Sequence, residues 1–166
     1  MNIWKKLKSE KPKGFFILAP MADVTDNPFR RIINEMGRPD LFFTEFASVD
    51  GLSNKVAREK IIKKILTFNK DQKPIIAQLF GGQAENFYKA AKICRKLGFS
   101  GIDINMGCPQ RNIVKQKAGV DLVRNYETAK KIFLATKQGS KASFFFGRDL
   151  AVSVKTRLGF NRIDMN

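Results

Sequence analysis

Pro74-Ile75-Ile76-Ala77-Gln78-Leu79-Phe80 is a continuous apolar run of strand length, and Gly101-Ile102-Asp103-Ile104-Asn105 is a second, shorter one. Between them Phe87, Ala91, Cys94 and Leu97 recur at helical spacing, and Gly98 stands where such a helix would stop. Strand, helix and strand within about 30 residues read as a βαβ unit. Runs buried on both faces belong to parallel sheets, and the crossover between parallel strands is right-handed.

The unit recurs in both directions. Phe15-Phe16-Ile17-Leu18-Ala19-Pro20-Met21 predicts a buried first strand. Asp26 or Asn27 can cap the next helix, with Pro28 in its first turn and Gly37 beyond its end. Phe29, Ile32, Ile33 and Met36 form its apolar stripe. Leu41 to Phe46 predicts a strand, and Ile61, Ile62, Ile65 and Leu66 mark a Lys-rich helix. A helix over Tyr126–Lys137 places Ala129, Ile132, Phe133 and Thr136 on one side, and Ala151–Arg157 predicts a last strand. Residues 1–13, with five lysines and one glutamate, read as a mobile basic arm or surface strip ahead of a domain over 14–166. Gly139-Ser140-Lys141 leads into Phe144-Phe145-Phe146-Gly147, which reads as an insertion.

Strand–helix alternation leaves two architectures, an open doubly wound sheet and a (β/α)8 barrel. Neither GxGxxG nor GxxxxGK[ST] follows a strand, so both nucleotide fingerprints of open sheets are missing. A complete barrel takes about 250 residues. Five strands in 166 residues is a barrel's rate of strands. The expected class is therefore α/β, an incomplete TIM barrel with about five of its eight strands.

Composition narrows function less. With 31 Lys+Arg against 15 Asp+Glu, the net charge of +16 favours polyanionic partners such as nucleic acid, although a solvated Lys-rich surface would give the same count. No apolar run reaches the roughly 18 residues of a membrane span, and the basic N-terminus lacks an apolar signal core. Neither membrane nor secretion is indicated. Two cysteines make no disulfide framework and lack zinc spacing. The absence of histidine excludes His-based triads and His-ligated metals within this chain, so no metal is expected.

Polar residues gather where strands end. Gln78 follows Ile75-Ile76-Ala77, Asp103 and Asn105 share one face at period two, and Lys155 lies in Val152-Ser153-Val154-Lys155-Thr156. A lysine inside an apolar strand is costly to bury without an anionic partner. Barrel active sites lie at this strand end. Cys94, on a helix stripe, reads as core. Cys108, in Asn105-Met106-Gly107-Cys108-Pro109, sits just past a strand, where a thiol can act as nucleophile or proton donor; a buried structural thiol is the alternative.

These residues resemble the tRNA-dihydrouridine synthases, FMN-dependent enzymes built on a (β/α)8 barrel. The matching words are Ala19-Pro20-Met21-Ala22-Asp23-Val24-Thr25-Asp26 with Phe29-Arg30, Thr44-Glu45, and Ala77-Gln78-Leu79-Phe80-Gly81. Asp103-Ile104-Asn105-Met106-Gly107-Cys108-Pro109, Lys117-Ala118-Gly119 and Val154-Lys155-Thr156-Arg157-Leu158-Gly159 follow in the family's order. The resemblance implies that NADPH reduces FMN, that hydride passes to C6 of a flipped-out uridine in tRNA, and that Cys108 protonates C5. It implies Pro20, Met21 and Ala22 along the flavin ring, Gln78 at its pyrimidine edge and Asn105 on the uracil. Lys155 falls where negative charge builds on the reduced cofactor.

The resemblance also implies that residues 14–166 are the N-terminal portion of a flavin-binding catalytic barrel in a cytoplasmic enzyme. The family's histidine, substrate-contacting arginine and glycine-rich phosphate loops fall on strands not found in these 166 residues. The isolated segment is accordingly expected to bind FMN weakly and to be inactive, unless a complementary C-terminal half joins it. Flavin barrels acting on free pyrimidines, of the dihydroorotate dehydrogenase type, share the Asn and Cys-Pro pattern. The charge and the Ala-Pro-Met word argue against them. A non-catalytic RNA-binding product is the third reading.

Overall fold

Each long apolar run of the sequence becomes a strand, and its neighbours in the sheet are its neighbours in the chain. The computed structural model describes residues 2–142, 147 and 149–160. The sheet holds β1 (Ile17–Leu18), β2 (Leu41–Ser48), β3 (Ile75–Phe80), β4 (Gly101–Met106) and β5 (Ala151–Thr156), in that order and all parallel. Helix α1 (Ile3–Glu10) precedes β1, and α2 (Asn27–Gly37) links β1 to β2. α3 (Val49–Ser53) and α4 (Lys55–Lys64) lead to β3, and α5 (Ala84–Leu97) leads to β4. α6 (Arg111–Val114), α7 (Asp121–Arg124) and α8 (Tyr126–Gly139) lead to β5. Strand order without reversal is that of a barrel wall, not of a doubly wound sheet. The fold is an incomplete (β/α)8 barrel of five strands.

Burial follows the two periodicities. Phe42, Ala77, Leu79, Ile102 and Ile104 face the helices and meet Phe87, Ala90, Ala91 and Cys94 of α5 and Ile132 of α8. Each such large side chain removed from water contributes about 1.5–3 kcal/mol. Gly98 closes α5 in the left-handed conformation, φ +83°. Gly139 lets α8 cross α5 closely, because a Cβ there would lie 2.4 Å from the Tyr88 carbonyl oxygen.

Three expectations change. Residues 3–10 are not a mobile arm but a helix capped by Asn2, whose side chain accepts from the Lys5 N–H (3.0 Å). Leu7 is buried against Leu41, Phe43 and Ile76, with Ile3, Trp4 and Phe15 beside it. The five lysines concealed an amphipathic stripe at Ile3, Trp4 and Leu7. Second, β1 is two residues long and sits at a sheet edge with one partner, so Phe16 and Ile17 are exposed rather than buried on both faces. Third, the stripe of α2 is largely open. Ile32 and Met36 are exposed, and the buried residue of the helix is Arg30. The helix itself begins as expected, with Asp26 accepting from the Phe29 N–H (2.9 Å). The Phe144–Phe146 segment lies outside the described residues. Among the described residues, no helix is long and apolar enough to cross a membrane.

Candidate functional site

Along the concave side of the sheet, side chains change character from one strand end to the other. At the strand starts, Leu41, Phe43 and Ile76 are apolar and covered by Leu7. Two residues further on, the register aligns Gln78 of β3 with Asp103 of β4, and Asp103 with Ser153 of β5. One step closer to the strand ends, Asn105 pairs with Lys155. β2 shifts register between Phe43 and Phe46, which brings Phe46 opposite Gln78. At that shift the Thr44 hydroxyl accepts from the Gln78 N–H (3.2 Å) and donates to the Glu45 carbonyl (2.7 Å).

The buried polar groups form one continuous relay. The Ser153 hydroxyl donates to Asp103 Oδ1 (2.7 Å), and Gln78 Nε2 donates to Asp103 Oδ2 (2.7 Å). Asn105 Nδ2 donates to Gln78 Oε1 (3.0 Å). Asn105 Oδ1 accepts from the backbone N–H groups of Gly107 (3.1 Å) and Cys108 (3.0 Å). Asp103 is 2 % exposed and Gln78 1 %. Burial pushes the Asp103 carboxyl above the usual carboxylate range; the bonds from Gln78 and Ser153 and the Lys155 charge pull the other way.

The relay ends at a cavity of about 290 Å³ lined by Pro20, Phe46, Gln78, Asn105, Gly107, Cys108, Lys155 and Arg157. Five of the residues singled out from the sequence (Pro20, Gln78, Asn105, Cys108 and Lys155) therefore share one space. Lys155 is exposed on β5, the last of the described strands, and is not buried among its apolar neighbours. Ala22 lines an adjoining cavity of about 200 Å³ that shares Phe46. Met21 lines neither. Its N–H donates to Thr25 Oγ1 (3.0 Å), and its carbonyl accepts from that hydroxyl (3.1 Å).

Two supports were not legible as such. Arg30 is wholly buried and donates to the carbonyls of Thr25 and Thr67 (2.6 Å for the latter) and to Gln72 Oε1 (3.3 Å). Burial lowers its pKa to about 10, against the opposing charges of Asp26 and Glu45. It ties the Pro20–Thr25 loop to the body. Gly119, at φ +60°, lies beneath the Cys108 loop, where a Cβ would meet the Cys108 carbonyl oxygen at 2.5 Å. Val120 N–H donates to that same oxygen (3.0 Å). The Lys117-Ala118-Gly119 word is thus the floor of the thiol loop. Arg157 and Phe46 also went unnoticed as lining residues. Arg157 continues the period-two face of Ser153 and Lys155, which was a usable signal. Phe46 reaches the cavity only through the register shift.

Cys94 is fully buried on α5 and its thiol is pushed up to about 12 by burial, in keeping with a core residue. Among the described residues, no group of three or more His, Cys, Asp or Glu side chains could hold a metal ion.

A parallel barrel wall with a thiol, carboxamides and a cation converging at its strand ends defines a barrel protein of the enzyme-like kind, its cavity at the C-terminal face. Residues 17–166 match the family model described as dihydrouridine synthase (Dus). The chain belongs to this family. It is 42 % identical over 163 residues to a probable tRNA-dihydrouridine synthase of Staphylococcus aureus (strain COL), covering 98 % of this chain and 45 % of that protein. It is 40 % identical over 163 residues to probable tRNA-dihydrouridine synthase 2 of Bacillus subtilis (strain 168), covering 98 % of this chain and 46 % of the relative. The chain thus spans under half the length of these curated relatives.

Proposed function

We propose that this chain carries the uracil-reducing part of a tRNA-dihydrouridine synthase, in which NADPH and FMN reduce the C5–C6 bond of uridines in tRNA. The observation that carries the reading is the meeting of Pro20, Gln78, Asn105, Cys108 and Lys155 in one cavity. Family membership and the +16 charge support a polyanionic RNA substrate. That substrate in turn favours a cytoplasmic site of action.

The residues fit a flavin ring. A cavity near 290 Å³ is at the lower end of the usual size for small-molecule sites, suited to a ring system rather than a whole dinucleotide. Its cation and amides match an electron-rich heterocycle edge. When bound there, FMN supplies a hydride for C6 of the uracil. Pro20 offers an apolar wall. Lys155 places a fixed positive charge where negative charge gathers, a stabilisation that needs no reorganisation. Gln78 retains one amide N–H beyond its bond to Asp103, available to a pyrimidine edge. Asn105 likewise retains one N–H for the uracil while its oxygen holds the Cys108 loop. Cys108 delivers the proton to C5, so one hydride and one proton saturate the bond.

Deleting the gene tests the reading. Mass spectrometry of the cell's tRNA should show dihydrouridine lost at one or more positions, each regaining the uridine mass. A full dihydrouridine complement in the deletion strain would refute it.

A further inference from the structure

We infer that Asp103 is a positioning residue that, through Gln78 and Asn105, fixes the backbone of the Cys108 loop. The argument is one of hydrogen-bond polarity. A carboxylate only accepts, whereas a carboxamide accepts at one end and donates at the other. Asp103 therefore requires Gln78 to present its amino group, Nε2, to Oδ2 (2.7 Å). That turns Gln78 Oε1 towards Asn105, which must answer with Nδ2 (3.0 Å). Asn105 Oδ1 is then left facing the N–H groups of Gly107 and Cys108. Reverse one amide and both turn, and the two N–H groups would face an amino group with nothing to accept them. The relay is buried from Asp103 through Gln78 to Asn105, the last at 8 % exposed, and half-buried at Ser153 and at the Gly107–Cys108 loop, so water is poorly placed to compensate between the two amides.

Ser153 does not set this polarity. Its hydroxyl can donate or accept and adapts to whatever Asp103 offers. Among the side chains of the relay the carboxylate alone is acceptor-only, and its polarity agrees with that of the donor-only Gly107 and Cys108 N–H groups at the other end. The inference deepens the function proposed above and takes its chemical meaning from Cys108 as the acid. Its test reads two backbone N–H groups and is blind to flavin and tRNA, so the two can fail separately.

The test is hydrogen exchange by NMR on the 166-residue chain. In Asp103→Leu, which leaves Gln78 Nε2 without its acceptor, protection at the Gly107 and Cys108 amides should fall about tenfold, the size of one lost net hydrogen bond, while the β3–β4 ladder amides keep theirs. Ser153→Ala should leave both loop amides within about twofold of wild type, because the acceptor-only end remains. The decisive variant is Asp103→Asn, whose Oδ1 can still accept from Gln78 while its Nδ2 donates to Ser153, and it should keep both loop amides within about twofold of wild type. Unchanged protection in Asp103→Leu would overturn the inference, and so would a uniform loss across the sheet in Asp103→Leu with no selective effect on the loop amides.

Discussion

Both ends of the sheet carry an aspartate next to the concave side, and the two are treated in opposite ways. At the strand starts, Asp40 binds the Lys11 ammonium (2.7 Å) and accepts from the Phe16 N–H (2.9 Å). These contacts, the Lys11 bond foremost, hold its carboxyl below the usual range. At the strand ends, burial drives the Asp103 carboxyl above it. Asp40 thus joins the end of α1 and the approach to β1 to the start of β2, beside a layer sealed by Leu7. Among the described residues Asp103 has no cation bound to it and accepts instead from Gln78 and Ser153, beside the candidate site. The division is the one barrels show generally, with strand starts serving stability and strand ends holding the candidate site.

The comparison can be broken at either end. The largest stability effect is expected from Arg30→Ala, which frees two carbonyls and Gln72 around a buried hole. A loss of about 3 kcal/mol or more in denaturant unfolding would match the loss of a buried network. Leu7→Ala should cost about 2–4 kcal/mol through the cavity left under α1. It should leave exchange at the Gly107 and Cys108 amides unchanged relative to the sheet, since the residues Leu7 clusters with, Leu41, Phe43 and Ile76, are not members of the relay. If Leu7→Ala disturbed that loop selectively, the two ends would not be independent.

Smaller effects lie in the pH dependence, and their signs differ. The folded pKa of Asp103 is raised, so its unfolded-state counterpart ionises first as pH rises above about 4. Stability then falls until the folded value is passed, and Asp103→Asn removes that slope. The folded pKa of Asp40 is depressed, so its contribution is present above about 4 and is lost as pH falls through the folded value. Asp40→Asn should therefore remove an opposite slope on the acid side. Denaturant midpoints measured against pH separate the two, and like signs in both variants would contradict the contrast drawn here. Because Asp40 lies near solvent, its slope should be the weaker and should fade with salt.

Much of this was legible because the relevant signals were local. Strand runs, the Asp26 cap and Gly98 each report on their own neighbourhood, and the period-two pairing of Asp103 with Asn105 put both on one face in advance. What escaped depends on partners distant in sequence. α1 looked like a charged strip because the surface receiving Leu7 is assembled from β2 and β3. Arg30 looked like an ordinary helix charge because its acceptors, Thr67 and Gln72, lie a helix and a loop away. The stripe of α2 and the run of β1 were read as buried because apolar spacing does not say whether an element has neighbours on both sides. The candidate site was visible as a set of residue types. Its internal order, with Gln78 bonded to both Asp103 and Asn105, needed the register of three strands.

The central claim is that the cavity at the strand ends is the working site and Cys108 its acid. The most direct measurement is the dihydrouridine content of tRNA from cells carrying Cys108→Ala at the chromosomal locus, set beside cells carrying Cys94→Ala. Loss of an acid of this kind slows a reaction by about 10²–10⁴-fold. The account predicts that Cys108→Ala loses dihydrouridine at the positions lost in the deletion strain, while Cys94→Ala keeps the modification at those positions wherever the protein still accumulates. Full modification in the Cys108→Ala strain would contradict it.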